Sequence, residues 1–259
     1  MAETSPQTND LPLIGVFDSN LGFPTTRADW AAFFAAQTCS ISETRNLDAL
    51  MGDLHAHRPA FAYLPAAGCF FLRDDPAYRG FASARSARTG MPSESSVLIV
   101  RRDHPTTRWQ DLRGARLGYI NTCCTTSYFA PRILLARAGE TLAAFFQPVA
   151  VAAWQGQIDA VVAGAVEASM VYEDVWLARP DNAAQTKILA RLDALPTPAF
   201  VVRADANAAF TARLQAALFA FKPTPGETPL YTGFADYQHD LMQRFFRDLA
   251  QAGGARRLP

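Results

Sequence analysis

Residues 96–139 read SVLIVRRDHPTTRWQDLRGARLGYINTCCTTSYFAPRILLARAG. Two apolar β-rich runs, Ser96–Arg101 and Ala115–Ile120, bracket a short polar turn, and the second is followed directly by a helical pattern over Thr126–Ala138 that stops at Gly139. The turn between that strand and helix, Tyr119–Tyr128, concentrates hydroxyls and thiols: Thr122, Cys123, Cys124, Thr125, Thr126 and Ser127. The first amides of a helix lack internal partners and carry the positive end of its dipole. Hydroxyls beside them complete an anion cradle. A single N-cap accounts for one such hydroxyl and leaves the run unexplained.

Working outward, the same alternation recurs on both sides. Leu11–Phe17 and Ala60–Leu64 are strand candidates and Cys39–Arg45 a third. Helical patterns lie between them at Arg27–Gln37, with Thr26 as N-cap, and at Leu47–His55, where Leu47, Leu50, Met51 and Leu54 share a face. Beyond the central run come a short strand at Pro148–Ala152, a helix over Gln155–Ala163, a strand at Ala168–Tyr172 and a helix from Glu173 to Ala178. Strands at Lys187–Arg191 and Ala199–Arg203 follow, and the remainder to Ala252 reads as mostly helical with a loop at Pro223–Thr232. Arg73–Ser95 reads as a polar separator. Alternating strands and helices predict an α/β chain whose sheets are mostly parallel. Ligands of such sheets sit beyond the strand carboxyl ends, here after Phe17, Leu64, Ile120, Ala152 and Val171.

Composition narrows the function. The chain has 259 residues, 49% of them hydrophobic, and 24 basic against 24 acidic side chains. That length buries one large core or two smaller ones, and the apolar share excludes a disordered chain. Balanced charge supplies no cationic face for nucleic acid or anionic membrane. No apolar run approaches the ~18–20 residues of a membrane span. The opening MAETSPQTND is a polar tail over residues 1–10 without signal-peptide character, so the chain reads as cytosolic or as a mature exported form. The cysteines, Cys39, Cys69, Cys123 and Cys124, follow no zinc spacing.

The run from Ser96, together with LIGVF, YLPAAG, VYEDVW and TPAFVVRAD in this order and spacing, resembles the phosphonate-binding subunits of ABC transporters. The resemblance extends over nearly the full length. It implies a two-lobed type II periplasmic-binding-protein fold: lobe 1 from residues 11–95 plus 204–259, lobe 2 from 103–196, and crossover hinge strands at 96–102 and 197–203. It implies an extracytoplasmic monomer that needs no cofactor, catalyses no reaction and captures a small oxyanion for a membrane permease. A sensor kinase is the alternative partner. In that family a Ser-Thr-Ser-Gly-Tyr turn holds the phosphonate oxygens. With Tyr128 as anchor, its positions fall on Cys124, Thr125, Thr126 and Ser127.

Two departures stand out. Cys124 replaces the first serine with a weaker donor. Where the family tends to carry Ser-His-Asp, this chain reads Ala153-Trp154-Gln155, so a potential positive charge is replaced by an indole N–H and an apolar face. Both changes point to a ligand less charged or more apolar than an alkylphosphonate dianion. The resemblance also nominates Glu173 for a ligand amine, although helix N-terminal charge explains Glu173 and Asp174 equally well. Tyr172 lies beside it. Ser95 and Ser96 lie where the family supplies an aromatic and a serine, the aromatic being replaced in the run Glu94-Ser95-Ser96. Tyr63 sits on a strand where core packing is the default, with Pro65 and Ala66 facing the cleft after it. Adjacent thiols at a helix start would have lowered pKa values and suit arsenite or a soft metal. The competing reading makes one of them a buried small residue and the other a turn residue. A Cys124 nucleophile lacks an identifiable base. His55 and His57 read as surface histidines, and Trp30, Phe33, Phe34, Phe145 and Phe146 as core.

Overall fold

The computed structural model describes residues 12–17, 27–44, 46–222 and 230–254. The first half opens with β1 (Leu13–Phe17), α1 (Arg27–Ala36), β2 (Ser40–Thr44) and α2 (Leu47–His55). Asn46 caps α2 by accepting from the amides of Asp48 and Ala49 at 2.9 and 3.3 Å, and the expected face of Leu47, Leu50, Met51 and Leu54 is buried. Next come β3 (Phe61–Leu64), the short α3 (Ala66–Phe71) and β4 (Tyr78–Ser86). The second half contains β5 (Ser93–Arg101), β6 (Arg116–Tyr119), a π-turn at Thr125–Phe129 that runs into α4 (Ala130–Ala136), α5 (Leu142–Phe145) and β7 (Gln147–Ala150). It continues through α6 (Gln155–Val162), β8 (Ala168–Tyr172), α7 (Glu173–Leu177), α8 (Pro180–Gln185) and β9 (Thr186–Pro196). The chain then returns through β10 (Ala199–Arg203), α9 (Ala208–Ala220), β11 (Tyr231–Asp236) and α10 (His239–Gln251).

The strands form two sheets, one per lobe, flanked by helices. One has the order β11-β4-β10-β3-β1-β2 and the other β7-β6-β8-β5-β9. The two-lobed α/β architecture is as expected, but each sheet is mixed. β1, β2 and β3 are parallel, as are β6, β7 and β8, while β4, β10 and β11 in one sheet and β5 and β9 in the other run antiparallel to their neighbours. The turn after β4 leads straight into β5 of the other sheet, and the two residues after β9 lead back into β10. The chain therefore passes between sheets at residues 87–92 and 197–198. β5 and β10, which contain most of the expected crossover segments 96–102 and 197–203, each hydrogen-bond within a single sheet.

Other expectations shift. The polar separator Arg73–Ser95 holds β4, whose burial alternates only in part because helix and sheet cover both of its faces. The C-terminal stretch read as mostly helical contains β11, so Tyr231 and Thr232 belong to a strand and not to a loop. The final helix packs on β9 and α4 of the second lobe, where Arg137 pairs with Asp248, while Phe246 meets Phe70 of the first lobe. It thus bridges both lobes rather than belonging to lobe 1 alone. Phe34, Phe145 and Phe146 are buried as core. The tail at residues 1–10, the loop Asp18–Thr26 with its N-cap Thr26, and the side chain of Trp30 lie outside the described residues. No helix among the described residues is long and apolar enough to cross a membrane.

Candidate functional site

The carboxyl ends of β6 and β8 and the loop after β7 converge on a cavity of about 50 Å³. Its second-lobe wall is Ile120, Asn121, Cys123, Cys124, Thr125 and Thr126, with Trp154 and Tyr172 beside them. Pro65 after β3, Tyr231 of β11 and Pro198 before β10 close the other side, and Glu94 of β5, in the second-lobe sheet, meets Tyr231 there. That space holds on the order of three or four waters, or one tetrahedral oxyanion with a short substituent.

The turn is built by its own side chains. Cys124 Sγ accepts from the Ser127 amide at 3.4 Å and lies 3.4 Å from Thr126 Oγ1, so sulfur serves as N-cap where a hydroxyl is usual. Ser127 is fully buried, and its Oγ accepts from the Ile120 amide at 3.2 Å, which ties the helix start to the end of β6. Ser96 Oγ donates to the carbonyls of Thr126 and Val171 at 2.9 and 3.2 Å, holding the turn onto β8. The amides of Thr125 and Thr126 have no acceptor among the described residues, and both residues line the cavity. Two amides and neighbouring hydroxyls therefore present donors to a guest.

Trp154 holds φ 55° and ψ −114°, a conformation that L side chains rarely adopt, and it caps α6 without a side-chain bond. Such a backbone costs about 1–3 kcal/mol and persists where the surroundings enforce it, commonly at ligand clamps. Tyr172 is buried, and its hydroxyl donates to Asp174 Oδ2 at 3.0 Å. Burial, then the nearby Glu94 and Asp174 charges, push its phenol well above the ordinary range.

Of the residues nominated from sequence, the structure brings Cys124, Thr125, Thr126, Trp154 and Tyr172 to the cavity. Ser127 and Ser96 lie beneath it as supports. Ser95 faces away, its Oγ donating to Asp193 at 2.8 Å, because alternation along β5 puts Glu94 and Ser96 inward instead. Tyr63 is fully buried among Phe200 and Phe234 behind the wall. Glu173 does not line the cavity: Arg88 and Arg191 take both of its oxygens. Burial raises its carboxyl pKa, and the two arginines oppose that rise. The helix start does not activate Cys123 either; burial pushes its thiol up to about 11. All four cysteines are free. His55 Nδ1 and His57 Nε2 flank Asp75 at 3.7 and 3.6 Å, far from the cavity lining.

Glu94 and Tyr231 line the cavity although sequence reasoning did not nominate either as a site residue. Glu94 was legible only as an acid two positions before an inward serine. Tyr231 stood in a stretch read as a loop, although the alternation Tyr231, Gly233, Ala235 is strand-like. Glu94 is 7% exposed, and its Oε2 accepts from the Tyr231 hydroxyl at 2.8 Å. Burial pushes its carboxyl up to about 8, the Tyr231 bond lowering it and Asp174 adding to the rise. Among the described residues, no Lys, Arg or His lines the cavity.

A family model described as the periplasmic substrate-binding protein of phosphonate ABC transporters matches residues 41–240. No curated protein matches the sequence. Among solved structures, a Xanthomonas citri protein bound to chloride ion has a TM-score of 0.74 at 15% identity, covering 93% of this chain and 98% of its own. PhnD1 from Prochlorococcus marinus in complex with methylphosphonate scores 0.69 at 11% identity, with coverage of 93% and 98%. A binding-protein component of an ABC phosphonate transporter from Pseudomonas aeruginosa scores 0.64 at 16% identity, with coverage of 95% and 90%.

Proposed function

The chain belongs to the family of periplasmic substrate-binding proteins of phosphonate ABC transporters, and from that premise we propose that it captures a small, singly charged oxyanion between its lobes and delivers it to a membrane permease. The observation that carries this reading is a donor-rich wall: Thr125 and Thr126, whose amides have no acceptor among the described residues, line a cavity with no Lys, Arg or His among its described lining residues. Amide dipoles and hydroxyls stabilise one buried charge; a second would remain uncompensated at a cost of several kcal/mol. Ile120, Pro65, Pro198 and Trp154 accommodate a short apolar substituent. The neighbours bound to chloride and methylphosphonate are in keeping with a small anion.

In this reading the protein works as a monomer outside the cytoplasmic membrane, as its family does. The lobes hinge at residues 87–92 and 197–198, and the ligand favours closure because only the closed form offers it both walls. A thermal-shift screen tests the assignment against phosphate, phosphite, methylphosphonate, sulfate, methanesulfonate, arsenite and small carboxylates. A ligand at about 100 times its Kd stabilises by about 2.7 kcal/mol, a rise of roughly 5–10 °C for a chain of this size. Stabilisation by a monoanionic oxyanion is the expected result. A screen in which only arsenite acts, or in which no anion acts, rejects it.

A further inference from the structure

The cavity wall contains a carboxyl where an anion site would be expected to exclude one. Glu94 lines the same cavity as Thr125 and Thr126 and is more than nine-tenths buried. One oxygen, Oε2, accepts from Tyr231; the other, Oε1, has no protein partner among the described residues. Among the described residues its titratable surroundings are Tyr231 from β11, Tyr172 from β8, Tyr63 from β3, Asp174 from α7 and the cavity-lining Cys123 and Cys124, and none of these is a cation. Arg88 and Arg191 are committed to Glu173, Asp174 and Asp193. An ionised carboxylate here would be buried without a countercharge and would face the charge of the guest.

We propose that Glu94 is a specificity-determining contact of the cleft: its neutral carboxyl donates an Oε1 hydrogen bond to the bound anion, so that capture is coupled to retention of one proton. The inference rests on the oxyanion reading above. Geometry supplies the donor, since a neutral carboxyl offers one O–H while Oε2 still accepts from Tyr231. It also accounts for the lack of a cationic side chain among the described lining residues. With Glu94 neutral, its carboxyl adds a donor to those of the Thr125–Thr126 turn, and the guest meets no carboxylate among the described lining residues. Anions that carry their own acidic proton gain nothing from such a wall, whereas fully ionised monoanions find donors on every side. The rise of the Glu94 carboxyl to about 8 agrees with this picture.

Two measurements test it, using wild type, Glu94→Gln and Tyr231→Phe. In thermal melts without ligand between pH 5 and 9, the raised carboxyl makes its contribution to stability fully below about 4.5 and loses it as pH rises through about 8. Wild type should therefore lose Tm relative to Glu94→Gln across that window. In calorimetric titrations with methanesulfonate, whose charge is constant over this range, wild-type affinity should fall about tenfold per pH unit above pH 8. Glu94→Gln should bind with no such slope, and Tyr231→Phe, lacking a hydroxyl that favours the ionised form, should begin its fall at higher pH. A pH-independent Tm difference overturns the proposal, as does wild-type affinity that holds or rises above pH 8. If the melts behave as expected but neither protein binds an anion at any pH, the oxyanion reading itself fails and takes the contact with it. That pattern differs from a flat titration with binding intact.

Discussion

Four adjacent residues divide the work of the ligand turn. Cys124 caps with sulfur, Thr125 and Thr126 offer unpaired amides, and Ser127 is consumed in anchoring β6. A sulfur acceptor makes a weaker cap than a hydroxyl oxygen, so Cys124→Ser should keep ligand affinity within about threefold and leave stability unchanged or slightly higher. Abolished binding in that variant would instead make the thiol a ligand group. Thr125→Val removes a hydroxyl while keeping shape and amide. Hydrogen bonds to charged groups are worth about 1.5–3 kcal/mol, so affinity for the anion should drop tenfold or more with Tm nearly unmoved. Calorimetry beside thermal melts separates those outcomes. At this scale the sequence was informative because hydroxyls crowded at a strand-to-helix turn have few other uses. It misled at Ser95 and Glu173, where strand alternation and two distant arginines decided direction.

Elements place these residues through a few buried bonds. Ser96, at the inward position of β5, ties the turn to β8 by donating to two carbonyls. Ser96→Ala leaves those carbonyls without that donor and should cost about 1–2 kcal/mol, lowering Tm by roughly 2–8 °C. Affinity should fall too, since the Thr126 amide loses its support. Unchanged affinity alongside lowered Tm would show that the turn holds its own shape. The buried face of α2 and the fully buried, mostly apolar β8 were readable because each presents one uniform environment. β4 and β11 were not, because their burial follows from neighbours 100 or more residues away, and a strand covered on both faces has no period-2 signature.

At the scale of the molecule, the lobes are joined near the cavity by a polar cluster. Asp174 of α7 accepts from Ser86 Oγ at 2.7 Å and from Tyr172, and pairs with Arg88, so the end of β4 is fastened to the second lobe. Arg88 is 41% exposed, so that ion pair contributes little by itself. The hydrogen bonds to the buried carboxylate contribute more, and Asp174→Ala should destabilise by about 2–3 kcal/mol. It should also loosen the lobes, which small-angle scattering would read as a larger radius of gyration that anion shrinks further than in wild type. An unchanged radius would place the restraint elsewhere, with α10 across both lobes the next structure to test.

The sequence by itself determined the alternation of strands and helices, the two-lobed family resemblance and the hydroxyl-rich turn, because each is written in local pattern and short-range spacing. Only the tertiary structure decided which side chains meet across the cleft. Glu94 and Tyr231 are 137 residues apart and touch because two sheets close on one another. Arg88, from the turn after β4, and Arg191, from the middle of β9, likewise reach Glu173 and remove it from the site. Buried charge is settled by everything within a few ångströms, and no window along the chain contains that neighbourhood.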